Sequence, residues 1–183
     1  GLPKGLLVEE SRANLLTYSE EIDNAAWSKT RATVSVNVGV SPDGTTSADK
    51  FVEDTTASNT HAITGPTVSY TSGTIYSLSI YAKAGERSVL RLSLPTSAFG
   101  AAVAYNFDLS AGTTTLYTAG TDNSSTITYV GNGWYRCVVT AQATASISAK
   151  PNLYIIVGGV ATYSGDGTSG LYLWGAQLEA GEI

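Results

Sequence analysis

The stretch Gly131–Thr144, GNGWYRCVVTAQAT, sets an indole and a guanidinium, Trp134 and Arg136, on one face of an alternating segment. Gly131, Asn132 and Gly133 supply a tight turn before it, where positive φ is cheap. Tyr135, Cys137, Val139 and Ala141 make the opposite, apolar face and are expected in the core. A tryptophan beside an arginine on an outward face is held either by packing or by a ligand. The ligand chemistry that suits it is saccharide binding, with ring faces stacking on pyranoses and polar side chains meeting the hydroxyls. On that reading, Trp134→Ala weakens binding and leaves folding largely intact.

Other segments place similar groups outward. Tyr81 and Lys83 oppose the apolar face of Thr74–Ala84, Arg91 opposes the leucines of Ser88–Leu94, and Asn106 is outward in Ala101–Leu109. If those segments are neighbours, Tyr81, Arg91 and Asn106 converge on one surface. His61, the only histidine, either lines that surface or is a hydrogen-bonded structural residue. The candidate carbohydrate-binding set is therefore Trp134, Arg136, Tyr81, Arg91, Asn106 and His61. The competing reading for Arg91 and Arg136 is surface ion pairing with Asp108 or Glu86, which contributes little stability. Trp27 and Trp174 are expected in the core, Trp174 because it shares an alternating face with Ala176 and Leu178.

Hydrolytic chemistry needs a positioned base or a pair of carboxylates. No Gly-x-Ser-x-Gly elbow is present, and the adjacent pairs Glu9-Glu10 and Glu20-Glu21 diverge on a strand. No catalytic residue is assigned, and the chain is read as a non-enzyme. No His/Cys spacing suits zinc, so no metal ligand is assigned and no cofactor is expected. The oxygen-rich loop Ser164–Ser169 could hold a structural calcium but reads first as a solvated turn, and Glu9 or Glu10 against the last strand is a weaker candidate. The single cysteine, Cys137, excludes an internal disulfide and is expected as a buried thiol.

The elements that must position these groups are short strands. Alternation runs through Arg31–Val40, with Val34, Val36, Val38 and Val40 on one side, and through Thr74–Ala84, Ser88–Leu94 and Ala101–Leu109, and Ala48–Glu53 reads as another short strand. Leu6–Val8 reads as an N-terminal strand able to pair with the last one, Gly170–Glu179. Ser19 is placed to cap a helical turn that ends by Trp27. Asn152–Gly158, apolar on both faces, is expected in the middle of a sheet. About ten strands with frequent turn signals describe an all-β jelly-roll sandwich of two antiparallel sheets.

Composition agrees. Hydrophobic residues are 43% of 183, enough for one core and one domain spanning residues 1–183, whereas charged residues are only 14%. A net charge of -5 gives no basic surface for phosphates, so no nucleic acid is expected. No apolar run reaches the roughly 20 residues of a membrane helix, and no membrane insertion is expected. Gly1–Glu10 lacks the pattern of a signal peptide. The start without Met and the end at Gly181-Glu182-Ile183 read as those of a piece of a longer polypeptide.

The blocks LLVEESRANLLTYSEEIDNAAWSK, SPDGTTSADKFVEDTT, YSLSIYAKAGERS, NFDLSAGT, VGNGWYRC and GDGTSGLYLWGAQLEAG run in order from Leu6 to Gly181. In that order they resemble a domain of bacteriophage tail, fibre and head-spike proteins, itself similar to jelly-roll carbohydrate-binding modules. The resemblance implies a sandwich whose concave face binds a polysaccharide or cell-surface glycan, displayed on the virion surface for host attachment beside other virion subunits. The modules' early Asn-Gly-x-Phe-Glu block and late Asp-Asp pair are replaced here by Thr17-Tyr18-Ser19 and Trp174-Gly175, which removes motifs associated with their structural calcium. The alternative is a structural virion module that decorates a capsid or joins fibre segments through protein contacts.

Overall fold

Apolar and polar residues alternate over short segments separated by turn residues, so burying one face of each segment requires paired strands. A computed structural model of the chain describes residues 13–118 and 123–181. In chain order the strands are β1 (Ser28–Thr30), β2 (Ala32–Gly39), β3 (Ala48–Glu53), β4 (Asn59–Thr60), β5 (Ala62–Thr64), β6 (Val68–Tyr70), β7 (Ile75–Ala84) and β8 (Val89–Leu94). A single helical turn, α1 (Thr96–Phe99), follows Pro95. The chain continues with β9 (Val103–Asp108), β10 (Thr113–Thr118), β11 (Asn123–Gly131), β12 (Trp134–Gln142), β13 (Ile147–Ala149), β14 (Asn152–Ile156), β15 (Thr162–Tyr163) and β16 (Gly170–Ala180).

Twelve of these form two six-stranded antiparallel sheets, ordered β1-β5-β14-β8-β9-β10 and β11-β12-β7-β16-β3-β2. The protein is a β-sandwich, as its alternation predicts, and short strands such as the pairs β13-β6 and β15-β4 raise the number above that expected. The doubly apolar β14 is central, between β5 and β8. Leu78, Ile80, Cys137, Val139 and Leu173 of one sheet and Leu90, Leu92, Phe107, Leu153 and Ile155 of the other belong to one buried cluster. Each large aliphatic or aromatic side chain there contributes about 1.5–3 kcal/mol by leaving water.

Consecutive strands change sheets at several points, and one of them matters for the candidate site. β7 lies in the second sheet and β8 in the first, so the connection at 85–88 crosses the sandwich instead of closing a hairpin. Tyr81 on β7 and Arg91 on β8 therefore face away from the core on opposite sides of the molecule.

Three local expectations change. Ser19–Trp27 forms successive turns, not a helical one, through Glu21 N–H to Tyr18 O, Asn24 N–H to Glu21 O and Trp27 N–H to Asn24 O. Trp27 itself is buried as expected, its indole N–H donating to Tyr18 O at 3.0 Å. Along β2 the pairing with β3 slips between Ser35 and Gly39, and only Val34 packs on the core, whereas Val36, Val38 and Val40 are 46%, 52% and 59% exposed. Residues 6–8 lie outside the described residues, but Leu15 N–H donates to Leu178 O at 2.7 Å and ties the chain just after them to β16.

Candidate functional site

The outward face of the second sheet is built from cross-strand rows. Arg136, Tyr81 and Trp174 are register partners across β12, β7 and β16, and Trp134, Lys83 and Tyr172 form the next row. Directly opposed side chains in such rows touch, so the sheet alone brings the rings together. The Tyr81 and Trp174 ring centroids are 5.5 Å apart with planes inclined at 56°. The Trp174 indole N–H donates to Ser47 Oγ at 3.1 Å, which fixes the ring on the sheet.

Trp174 is outward because β16 bulges. The register with β7 shifts between Trp174 and Gln177, and Gly175 sits at φ 59°, a left-handed conformation that glycine adopts without a Cβ penalty. The extra residue inverts the alternation. Leu173, Ala176 and Leu178 are buried, while Trp174 and Gln177 share the open side. The expectation of Trp174 in the core is thus corrected by one residue of phase, and a glycine inside an otherwise regular strand is the sequence signal for it.

Tyr81, Trp174, Gly175, Gln177, Ser19 and Glu20 line a depression of about 230 Å³. One strand repeat away, Lys83, Tyr172, Trp134, Gly39 and Val40 line another of about 250 Å³. Between them these walls offer four aromatic rings, an amide, a carboxylate, hydroxyls and an ammonium. Arg136, opposite Tyr81, is half-buried, and its Nε has no hydrogen-bond partner among the described residues. Such a face can stack on an apolar ring and hydrogen-bond its substituents.

The six sequence candidates do not form one site. Tyr81 and Arg136 are together on the second sheet. Trp134 belongs to the same face but is packed: it is 1% exposed, and its indole N–H donates to Val40 O at 3.0 Å beneath the segment leaving β2. Arg91 and Asn106 are paired with each other on the opposite sheet. There Arg91 is buried, its Nε donates to Asn106 Oδ1 at 2.7 Å, and its guanidinium carbon lies 3.4 Å from the centroid of the Tyr117 ring. The surface ion pairs with Asp108 or Glu86 do not form; Glu86 pairs with Lys50 at 2.7 Å.

His61 is in a third place. It is fully buried, with Nδ1 2.7 Å from Arg31 O and its ring centroid 4.7 Å from that of Tyr163. Beside it lies a buried polar network that sequence reading missed, because its members are scattered along the chain. Glu53 accepts from Arg87 Nε at 2.8 Å and Nη2 at 2.5 Å, from Tyr163 O–H at 2.7 Å and from Asp166 N–H at 3.0 Å. Burial alone raises the Glu53 pKa, but the bonds from Arg87, Tyr163 and Asp166 outweigh it and hold the carboxyl below its usual range.

The loop Ser164–Ser169 spends its acidic side chain on itself. Asp166 Oδ1 accepts from Thr168 and Ser169 N–H, and Oδ2 from Ser169 O–H. These bonds, led by the Ser169 hydroxyl, lower the Asp166 pKa. That is the geometry of a self-satisfied turn. Among the described residues, no group of three or more His, Cys, Asp or Glu side chains is gathered as a metal site. No helix among them is long and apolar enough to cross a membrane. Cys137 is buried, and burial raises its thiol pKa. Comparison with known proteins gave no matching family model and no matching curated sequence.

Proposed function

We propose that this chain is a non-catalytic carbohydrate-binding module of a phage virion protein that holds host surface polysaccharide during attachment. One observation carries the site: the Tyr81–Trp174 pair lies on an outward sheet face, flanked by Gln177, Glu20 and Ser19 around a depression of sugar-compatible size. Inclined aromatic faces with hydrogen-bonding groups at their rim are what a pyranose needs, an apolar ring face to stack and hydroxyls to satisfy. The resemblance of the ordered sequence blocks to phage tail and head-spike domains supplies the virion setting. Arg136, next in the same row, extends the face with a cation.

A second reading, a structural decoration or fibre module acting through protein contacts, is favoured by a separate feature. β2 is an edge strand that exposes Val36 and Val38, with Val40 exposed just beyond its end, an arrangement suited to pairing with another chain.

A polysaccharide array followed by calorimetric titration with host capsule separates the two. Wild-type protein is expected to bind at least one glycan, and Trp174→Ala to weaken that binding about tenfold, since a stacked aromatic contact contributes about 1 kcal/mol or more. Absence of wild-type binding to the array and to the capsule would sink the glycan reading.

A further inference from the structure

We infer that the opposite sheet carries a second, independent saccharide site, selective for a neutral pyranose and built from Asn106, Asp108, Thr113 and Thr115 with Val89 and Ile156 as its apolar walls. It rests on the preceding reading for its ligand class and on different residues for its existence.

The four polar side chains form a square. Asn106 and Asp108 are two residues apart on β9, on one face and about 7 Å apart along the strand. Thr115 and Thr113 are their register partners on β10. All four line a cavity of about 270 Å³, with Val89 and Gly159 among its other walls. This volume is at the small end of ligand pockets and fits a short saccharide better than an extended chain.

The hydrogen-bonding character of the square is already set. Arg91 Nε donates to Asn106 Oδ1, so the Asn106 carbonyl is engaged and its NH₂ donors remain for the cavity. Asp108 Oδ1 accepts from Ser110 N–H and O–H and from Ala111 N–H, which leaves Oδ2 as the acceptor. Thr113 and Thr115 can both donate and accept. An amide donor and a carboxylate acceptor beside two hydroxyls match vicinal sugar hydroxyls, each of which donates one hydrogen bond and accepts others.

Val89 and Ile156 supply the apolar walls. Tyr117, 56% exposed, lays one ring face on the buried Arg91 guanidinium and so holds Arg91 in place beside Asn106. Arg91 is thus a positioning residue that orients Asn106 and does not itself line the cavity. The selectivity follows from Asp108, which its own turn, led by the Ser110 hydroxyl, keeps ionised by lowering its pKa. A fixed negative charge in the cavity repels acidic sugars.

The test is a ¹⁵N-resolved NMR titration of the whole 183-residue chain with the methyl pyranosides of glucose, galactose and mannose, cellobiose, lactose and glucuronate. At least one neutral sugar is expected to shift amides of β9 and β10, with glucuronate binding there several-fold more weakly. Thr115→Val, an exposed change that preserves side-chain shape, is expected to weaken the β9–β10 response several-fold and leave any response of β7 and β16 intact. Arg91→Lys keeps the charge but loses the fork and the stack, and is expected to weaken the same response.

Shifts confined to β7 and β16 would overturn this inference while leaving the first site standing. Shifts confined to β9 and β10 would support it and displace the first site. No shift with any sugar would overturn it, whatever the polysaccharide array shows, and equal binding of glucuronate would overturn the assignment to neutral pyranoses.

Discussion

At the scale of the residue, the three tryptophans divide by what their indole N–H meets. Trp27 donates to Tyr18 O and Trp134 to Val40 O, and both are buried; Trp174 donates to the Ser47 hydroxyl and remains half-exposed. Truncating Trp134 removes a buried ring and strands the Val40 carbonyl, so Trp134→Ala should destabilise the fold by about 3–5 kcal/mol. Trp174→Ala should cost less, on the order of 1–2 kcal/mol, because part of that ring stays in water in the native state. Urea unfolding curves of the two variants check this ordering, and equal midpoints would contradict it. Trp134 and Arg136 were legible as an outward pair, but nothing in GNGWYRC indicates that the segment after β2 covers the first and leaves the second half-open.

At the scale of the element, the candidate site depends on the bulge in β16. Gly175 lies at φ 59°, and a Cβ there would meet Tyr81 Cδ2 at 3.4 Å, an ordinary contact. The cost of Gly175→Ala is therefore conformational, about 1–2 kcal/mol, and not steric. Thermal unfolding should show that modest loss with the fold retained. Deleting Gly175 would leave Leu173, Ala176 and Leu178 inward and Trp174 and Gln177 outward in regular alternation, so the cooperative transition should be kept while the local twist that sets Trp174 against Tyr81 is lost. The valine edge of β2 behaves oppositely: Val38→Lys, at a side chain already 52% exposed, should change stability by no more than about 0.5 kcal/mol in urea unfolding. Alternation made β2, β7, β8 and β9 legible. The slips in β2 and β16 were not, because a strand's period of two carries no mark of where one residue is added.

At the scale of the whole molecule, acid is the condition that should loosen the sandwich. Glu53 joins Arg87, Tyr163 and the 166 backbone across loops from distant parts of the chain, and its pKa is lowered in the folded state. Asp108 and Asp166 are lowered as well. A depressed carboxyl contributes stability that is present above its unfolded pKa, about 4, and is lost as pH falls through the folded value. Asp49 has the opposite sign: its burial raises its pKa, so protonation relieves a cost. With the lowered groups in the majority, urea midpoints should fall steadily below about pH 4, and Glu53→Gln should be less stable at neutral pH with a flatter acid limb. An acid limb as steep as wild type in that variant would remove Glu53 from the account.

The sequence by itself determined the all-β class, the apolar faces of most strands, the buried Cys137 and the burial of Trp27, because each follows from local periodicity and from the water-avoidance of single side chains. Only the tertiary structure decided which outward groups meet. The crossing between β7 and β8 puts Tyr81 and Arg91 on opposite sheets, the Gly175 bulge turns Trp174 outward beside Tyr81, and sheet closure assembles Glu53 with Arg87 and Tyr163. The physical reason is that strand alternation fixes a side chain's face but not its neighbours. Neighbours are chosen by sheet order and register, which depend on the packing of the whole core.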